Sequence, residues 1–204
     1  FCIRKCAYCD FLSAPAGRAE QALYMEALLQ EIDWTARSGW SLGEPAGPAA
    51  CAAGAEERSE TVDTIFIGGG TPSALEADWI VRLTDRLYES FPIASNAEIS
   101  MEANPGTLTR KKLKRYREAG VNRLSIGLQS MDDEELRTLG RIHTAADFLE
   151  NFHMAREAGF TNINIDLMSA LPGQSEASWE RTLRRTVSLG PEHISAYSLI
   201  VEEG

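Results

Sequence analysis

Apolar residues recur along this chain at two spacings. Within 18–37, Leu23, Leu28 and Ile32 fall at helical intervals among many helix formers and predict a first helix. After residue 60, short apolar runs alternate with helix-length amphipathic segments. The runs at 62–67, 97–102, 123–128, 162–167 and 193–199 predict strands. The segments at 77–90, 109–119, 132–139, 145–158 and 176–188 predict helices. Thr109, Thr144 and Ser175 stand where N-caps are expected, and Gly120, Gly159 and Gly190 where helices should stop. Strands alternating with helices build βαβ units and a parallel sheet, an α/β fold.

An internal echo sharpens this. REAGVNRLSIGL (117–128) parallels REAGFTNINIDL (156–167), each ending a helix, turning at glycine and entering a strand. Such a period predicts successive units of a βα barrel. Within the strands, Ile99 and Met101, then Leu124, Ile126 and Leu128, then Ile163, Ile165 and Leu167 form one aliphatic parity. Glu98, Ser100 and Glu102, then Ser125, Gly127 and Gln129, then Asn162, Asn164 and Asp166 form a polar one. A closed eight-stranded barrel fills its interior with branched apolar side chains. A polar inner face instead predicts a partial, open barrel around a ligand cavity. The alternative is an antiparallel sheet whose polar face meets solvent.

The stretch 38–60 breaks the pattern. It is rich in Gly, Ala and Pro and reads as a flexible surface insertion, with Cys51 in it as a free thiol. The 204 residues, 44% hydrophobic, can bury a real core as one domain. A net charge of −10 argues against a general nucleic-acid-binding face. No apolar run reaches the roughly 20 residues of a membrane-spanning helix.

The chemistry concentrates at the start. FCIRKCAYCDF places Cys2, Cys6 and Cys9 at C-x3-C-x2-C spacing on one short loop. Three thiolates so close can reach one metal centre. A [4Fe–4S] cube normally takes four, so three would leave one iron free for another ligand. Structural zinc is the other reading, although it favours four closed ligands, often as two Cys pairs. The odd spacing and a cytosolic-looking enzyme sequence argue against a disulfide.

The same spacing, with Tyr8 inside it, resembles the signature of radical S-adenosylmethionine (SAM) enzymes. CDF, IGGGTPS, SMEANPGTL, RLSIGLQS, GRIHT, INIDLMSALPGQ and PEHISAYSLIVEEG follow in order from end to end. Together they resemble the oxygen-independent coproporphyrinogen III oxidase-like group. The resemblance implies a partial radical SAM (βα)6-type barrel over 1–204, without its first strand and a C-terminal domain. It implies a cluster on Cys2, Cys6 and Cys9, whose fourth iron binds SAM, and cleavage of SAM to a 5′-deoxyadenosyl radical. It assigns Gly68, Gly69, Gly70 and Thr71 to the methionyl amino group, Glu102 to the ribose, and Gln129, Arg141 and Asp166 to positions around SAM. A plain tight turn is the alternative for the glycines, and a surface arginine for Arg141. Asp166, in an apolar strand, requires a partner or a ligand. His143 either faces the cavity or starts a helix at the surface. His153 and His193 read as structural, and the basic run RKKLKRYRE (110–118) as a solvated helix face.

One departure separates two branches. The decarboxylating oxidases of the group carry a fourth cysteine at the position of Phe11. Its absence favours the heme-chaperone branch, whose cargo is heme or porphyrin and whose partners are recipient hemoproteins and a low-potential electron donor. The heme ligands of that branch are expected beyond residue 204, and the need for a low potential points to the cytoplasm.

Overall fold

The computed structural model describes residues 1–38 and 61–200. Cys51 and the predicted insertion, apart from Ser38, lie outside the described residues. Six helices and five strands are described: α1 (Arg18–Arg37), β1 (Val62–Ile67), α2 (Ala77–Ser90), β2 (Ile93–Ala103), α3 (Arg110–Glu118), β3 (Arg123–Gln129), α4 (Asp133–Thr138), α5 (Ala145–Glu157), β4 (Ile163–Ser169), α6 (Glu176–Ser188) and β5 (His193–Ser198). A 3-10 turn, Pro72–Ala74, follows β1.

The sheet runs β1-β2-β3-β4-β5, every pairing parallel, so the antiparallel alternative is set aside. It is an open half-barrel, α/β throughout. β2 begins earlier than the expected residue 97. Ile93 already pairs with Val62, ahead of an irregularity that shifts the register before Thr64. Among the described residues, no helix is long and apolar enough to cross a membrane.

The parity argument holds in three dimensions. Ile99, Met101, Leu124, Ile126, Leu128, Ile163, Ile165 and Leu167 are all buried, beneath Leu113, Tyr116, Phe148, Phe152 and Phe160. Each such side chain contributes about 1.5–3 kcal/mol by leaving water. The helix ends follow their signals. Thr109 Oγ1 accepts from Lys112 N, Ser175 Oγ from Ser178 N, and Thr144 forms a capping box with Asp147. Gly120 (φ +94°) and Gly159 (φ +89°) take the left-handed conformation that ends α3 and α5. The basic run is only partly a solvated face. Leu113 and Tyr116 enter the core, and Lys112 Nζ, half-buried, donates to Ser73 O (2.8 Å) and Thr107 O (3.3 Å). Burial lowers the Lys112 pKa.

Candidate active site at the carboxyl edge of the sheet

The carboxyl ends of the strands and the N-terminal loop enclose a cavity of about 420 Å³. Cys2, Cys6 and Cys9 line it from one side, and Glu102, Gln129, Arg141 and Asp166 from the other, with Gly69, Gly70 and Thr71 at the rim. The fold thus brings ten of the eleven predicted site residues to one space; Gly68 lines the neighbouring cavity against α1.

Backbone bonds seat the cysteine loop. Thr71 N donates to Phe1 O (2.6 Å), Cys2 N to Ala14 O (3.2 Å), Ala7 N to Leu139 O (3.2 Å), and Cys9 N to Cys6 O (3.2 Å). The three glycines of the motif leave room for different things. A side chain at Gly70 would strike the Phe1 backbone at 2.6–2.9 Å, so the residue without Cβ admits the chain itself. At Gly68 it would meet the Phe66 ring and, at 3.2 Å, Glu102 Oε2. Only Gly69 is open, with nothing within 4 Å of a Cβ built on it. Its N–H donates to Glu102 Oε2 (3.0 Å).

The thiols are half-buried and free. Thr71 Oγ1 lies 3.4 Å from Cys2 Sγ, and Arg141 Nη1 lies 3.7 Å from Cys6 Sγ, donors that suit thiolate charge. Among the described residues, no group of three His, Cys, Asp or Glu side chains is placed to hold a single metal ion. One zinc would draw its thiolates to about 2.3 Å each. A cube spreads its ligands over separate irons, and three soft thiolates beside a cavity fit that donor set.

The inner face holds a connected polar network. Ser125 Oγ donates to Asp166 (3.1 and 3.2 Å), and Asn164 Nδ2 donates to Asp166 Oδ1 (2.7 Å) and Ser125 Oγ (2.8 Å). Asn164 Oδ1 accepts from Ser195 Oγ (3.1 Å) and meets His193 Nδ1. The partner that Asp166 required is therefore present. Burial raises the Glu102 pKa; the Gly69 N–H opposes the rise and Asp166 adds to it.

Arg141 is not a free fork. Nη2 donates to Gly127 O (2.6 Å) and Asn104 Oδ1 (2.7 Å), Nη1 reaches Tyr8 Oη (3.5 Å), and Nε is buried without a protein partner. Burial pushes the Tyr8 hydroxyl up to about 12, partly offset by Arg141 and reinforced by Cys6 and Cys9. His143 is buried rather than at the surface, and burial, then Arg141, holds its pKa down at about 4. His153 is exposed. Sequence reasoning passed over Asn104, whose Nδ2 donates to Thr71 Oγ1 (2.7 Å) and which ties that residue to Arg141. The signal was available: Asn104 shares the parity of Glu102 inside the quoted SMEANPGTL segment.

A sequence model of the Radical SAM superfamily matches residues 1–186. The chain belongs to that superfamily. Membership implies SAM and a [4Fe–4S] cluster as the radical SAM cofactors. The heme chaperone HemW of Escherichia coli (strain K12) is 40% identical over 203 residues, 99% of this chain and 49% of that protein. Heme chaperone HemW of Bacillus subtilis (strain 168) is 39% identical over 204 residues, again 99% and 49%. The chain thus spans about half the length of the curated relatives it matches. Among solved structures, the radical SAM enzyme coproporphyrinogen III oxidase (HemN) of E. coli superposes with a TM-score of 0.81 at 32% identity, over 98% of this chain and 42% of that one.

Proposed function

We propose that this chain is the radical SAM part of a heme chaperone, a protein that binds heme and passes it to hemoproteins. The observation that carries the reading is the cavity itself, with three thiols facing a polar strand-end array. Relatives named as heme chaperones along the whole chain support the cargo. Cys2, Cys6 and Cys9 hold the cluster, which when bound supplies the electron that cleaves SAM. Glu102 accepts hydrogen bonds from the ribose hydroxyls, as acidic residues do in dinucleotide sites. Gly69, Gly70 and Thr71 edge the methionyl end, with Gly68 behind them shaping the turn. Gln129 and Asp166 border the nucleoside. Arg141, oriented by Asn104 and Gly127 O, presents positive charge to the SAM carboxylate and to Cys6. Work at low potential fits a cytoplasmic protein served by a low-potential electron donor.

The superposition on coproporphyrinogen III oxidase favours a second reading, radical decarboxylation of porphyrinogen propionates. Phe11, where a fourth cysteine is expected in that branch, stands against it; its side chain is exposed at the cavity. The test uses the full-length protein, reconstituted anaerobically with iron, sulfide, SAM and a reductant. Saturable heme binding without CO2 loss from coproporphyrinogen III is expected; decarboxylation would replace the chaperone reading with the oxidase. Changing Cys2, Cys6 and Cys9 together to Ala should abolish cluster iron, and retained iron would sink the ligand assignment.

A further inference from the structure

β3 does not end as a regular strand. Its pairing with β4 runs in step from Leu124–Ile163 to Gly127–Asp166, then shifts so that Gln129 stands opposite Leu167. Leu128 is the extra residue of this bulge. Gln129 has φ +72°, a left-handed backbone that L side chains avoid. Such strain persists where the surroundings over-determine it, and bulges beside active sites re-aim side chains.

Two side chains from the turn after α4 supply the determination. Arg141 Nη2 donates to Gly127 O (2.6 Å), and His143 Nε2 lies 3.2 Å from Leu128 O. A carbonyl only accepts, so the imidazole carries its proton on Nε2. His143 is 5% exposed, and Gln129, at 8%, lines the cavity. Gly127 leaves the room for the result: a Cβ there would meet Asn104 Oδ1, Gln129 Nε2 and Arg141 Nη2 at 2.9–3.1 Å. Three polar side chains thus converge over one glycine next to the bulge.

We propose that His143 is a positioning residue for Gln129: by holding Leu128 O it fixes the bulge and aims the Gln129 amide into the SAM cavity. This rests on the SAM-binding reading above. The test measures the dissociation constant of radiolabelled SAM by equilibrium dialysis against the full-length, anaerobically reconstituted protein, with cluster iron assayed in parallel. His143→Leu removes the donor to Leu128 O and should weaken SAM about tenfold with iron unchanged. His143→Gln, whose amide can replace the donor, should recover binding to within about threefold of wild type. In a Gln129→Ala background, His143→Leu should add less than about twofold, since coupled residues are not additive. Wild-type affinity in His143→Leu, or an undiminished loss in the Gln129→Ala background, overturns the proposal. Should His143→Leu not accumulate folded, the comparison of His143→Gln with the shorter His143→Asn decides: Asn must bind SAM more weakly, and equal binding overturns the proposal. A wild-type protein that does not bind SAM brings down the underlying reading as well, whereas a binding wild type with indifferent variants brings down the His143 role alone.

Discussion

The two echoed units of the chain share a scaffold and differ in what they present inward. In the first, Arg117 Nη1 donates to Val121 O (3.0 Å); in the second, Arg156 Nη1 donates to Phe160 O (3.1 Å). Gly120 and Gly159 end their helices with left-handed backbones. Leu124, Ile126 and Leu128 match Ile163, Ile165 and Leu167 in the core. The inner faces part company. Ser125, Gly127 and Gln129 stand where the second unit has Asn164, Asp166 and Met168. One strand ends in a bulge with a hollow filled by Asn104, Gln129 and Arg141; the other carries a carboxylate held by its own network. Repetition therefore builds the frame, and departure from repetition builds the site.

The largest expected break in that likeness is with acid. His143 pins the bulge of the first unit, and its folded pKa, held at about 4 by burial and then by Arg141, lies below the ordinary value of 6.5. Between those values the unfolded chain takes up a proton that the folded one refuses. Stability is therefore complete above about pH 6.5 and falls as pH drops toward 4, by up to roughly 3 kcal/mol in all. Urea unfolding of wild type and His143→Gln across that window checks this: the variant should lose less, and parallel curves would refute it.

A smaller difference separates the helix-ending glycines. Both Gly120→Ala and Gly159→Ala place a side chain at positive φ, at a cost of about 1 kcal/mol each. At Gly120 the new Cβ would also meet Tyr88 Oη at 3.1 Å and Ile99 at 3.4 Å, whereas at Gly159 it meets nothing within 4 Å. Gly120→Ala should therefore unfold at lower denaturant than Gly159→Ala; equal midpoints would mean the Tyr88 contact is relieved freely.

The smallest effect on stability is expected at Gly127→Ala. The atoms it crowds are the far ends of flexible side chains, so folding should change by less than about 1 kcal/mol. SAM binding should still weaken about fivefold or more, because displaced positioning groups act on affinity. Equilibrium dialysis beside a thermal melt separates the two, and unchanged SAM affinity would remove this convergence from the site.

Much of this was written into the linear chain. Periodicity of 2 and 3.6 located the strands and helices. Strand parity assigned Ser125, Asn164 and Asp166 inward, because alternate side chains on a pleat must face opposite ways. Caps at Thr109, Thr144 and Ser175 were legible because the orphan N–H groups of a first turn need a nearby oxygen. The cysteine loop was legible because its three thiols are neighbours in sequence.

Tertiary structure alone decided the rest. That Gly70 admits Phe1, that Lys112 leaves solvent for Ser73 O and Thr107 O, that Asn104 joins Thr71 to Arg141, and that His143 holds the bulge before Gln129 all depend on contacts between distant segments. Local pattern fixes which face a residue occupies, since that follows from backbone geometry. It does not fix which groups meet across that face, since this is set by how separate elements pack and where each buried donor finds its acceptor.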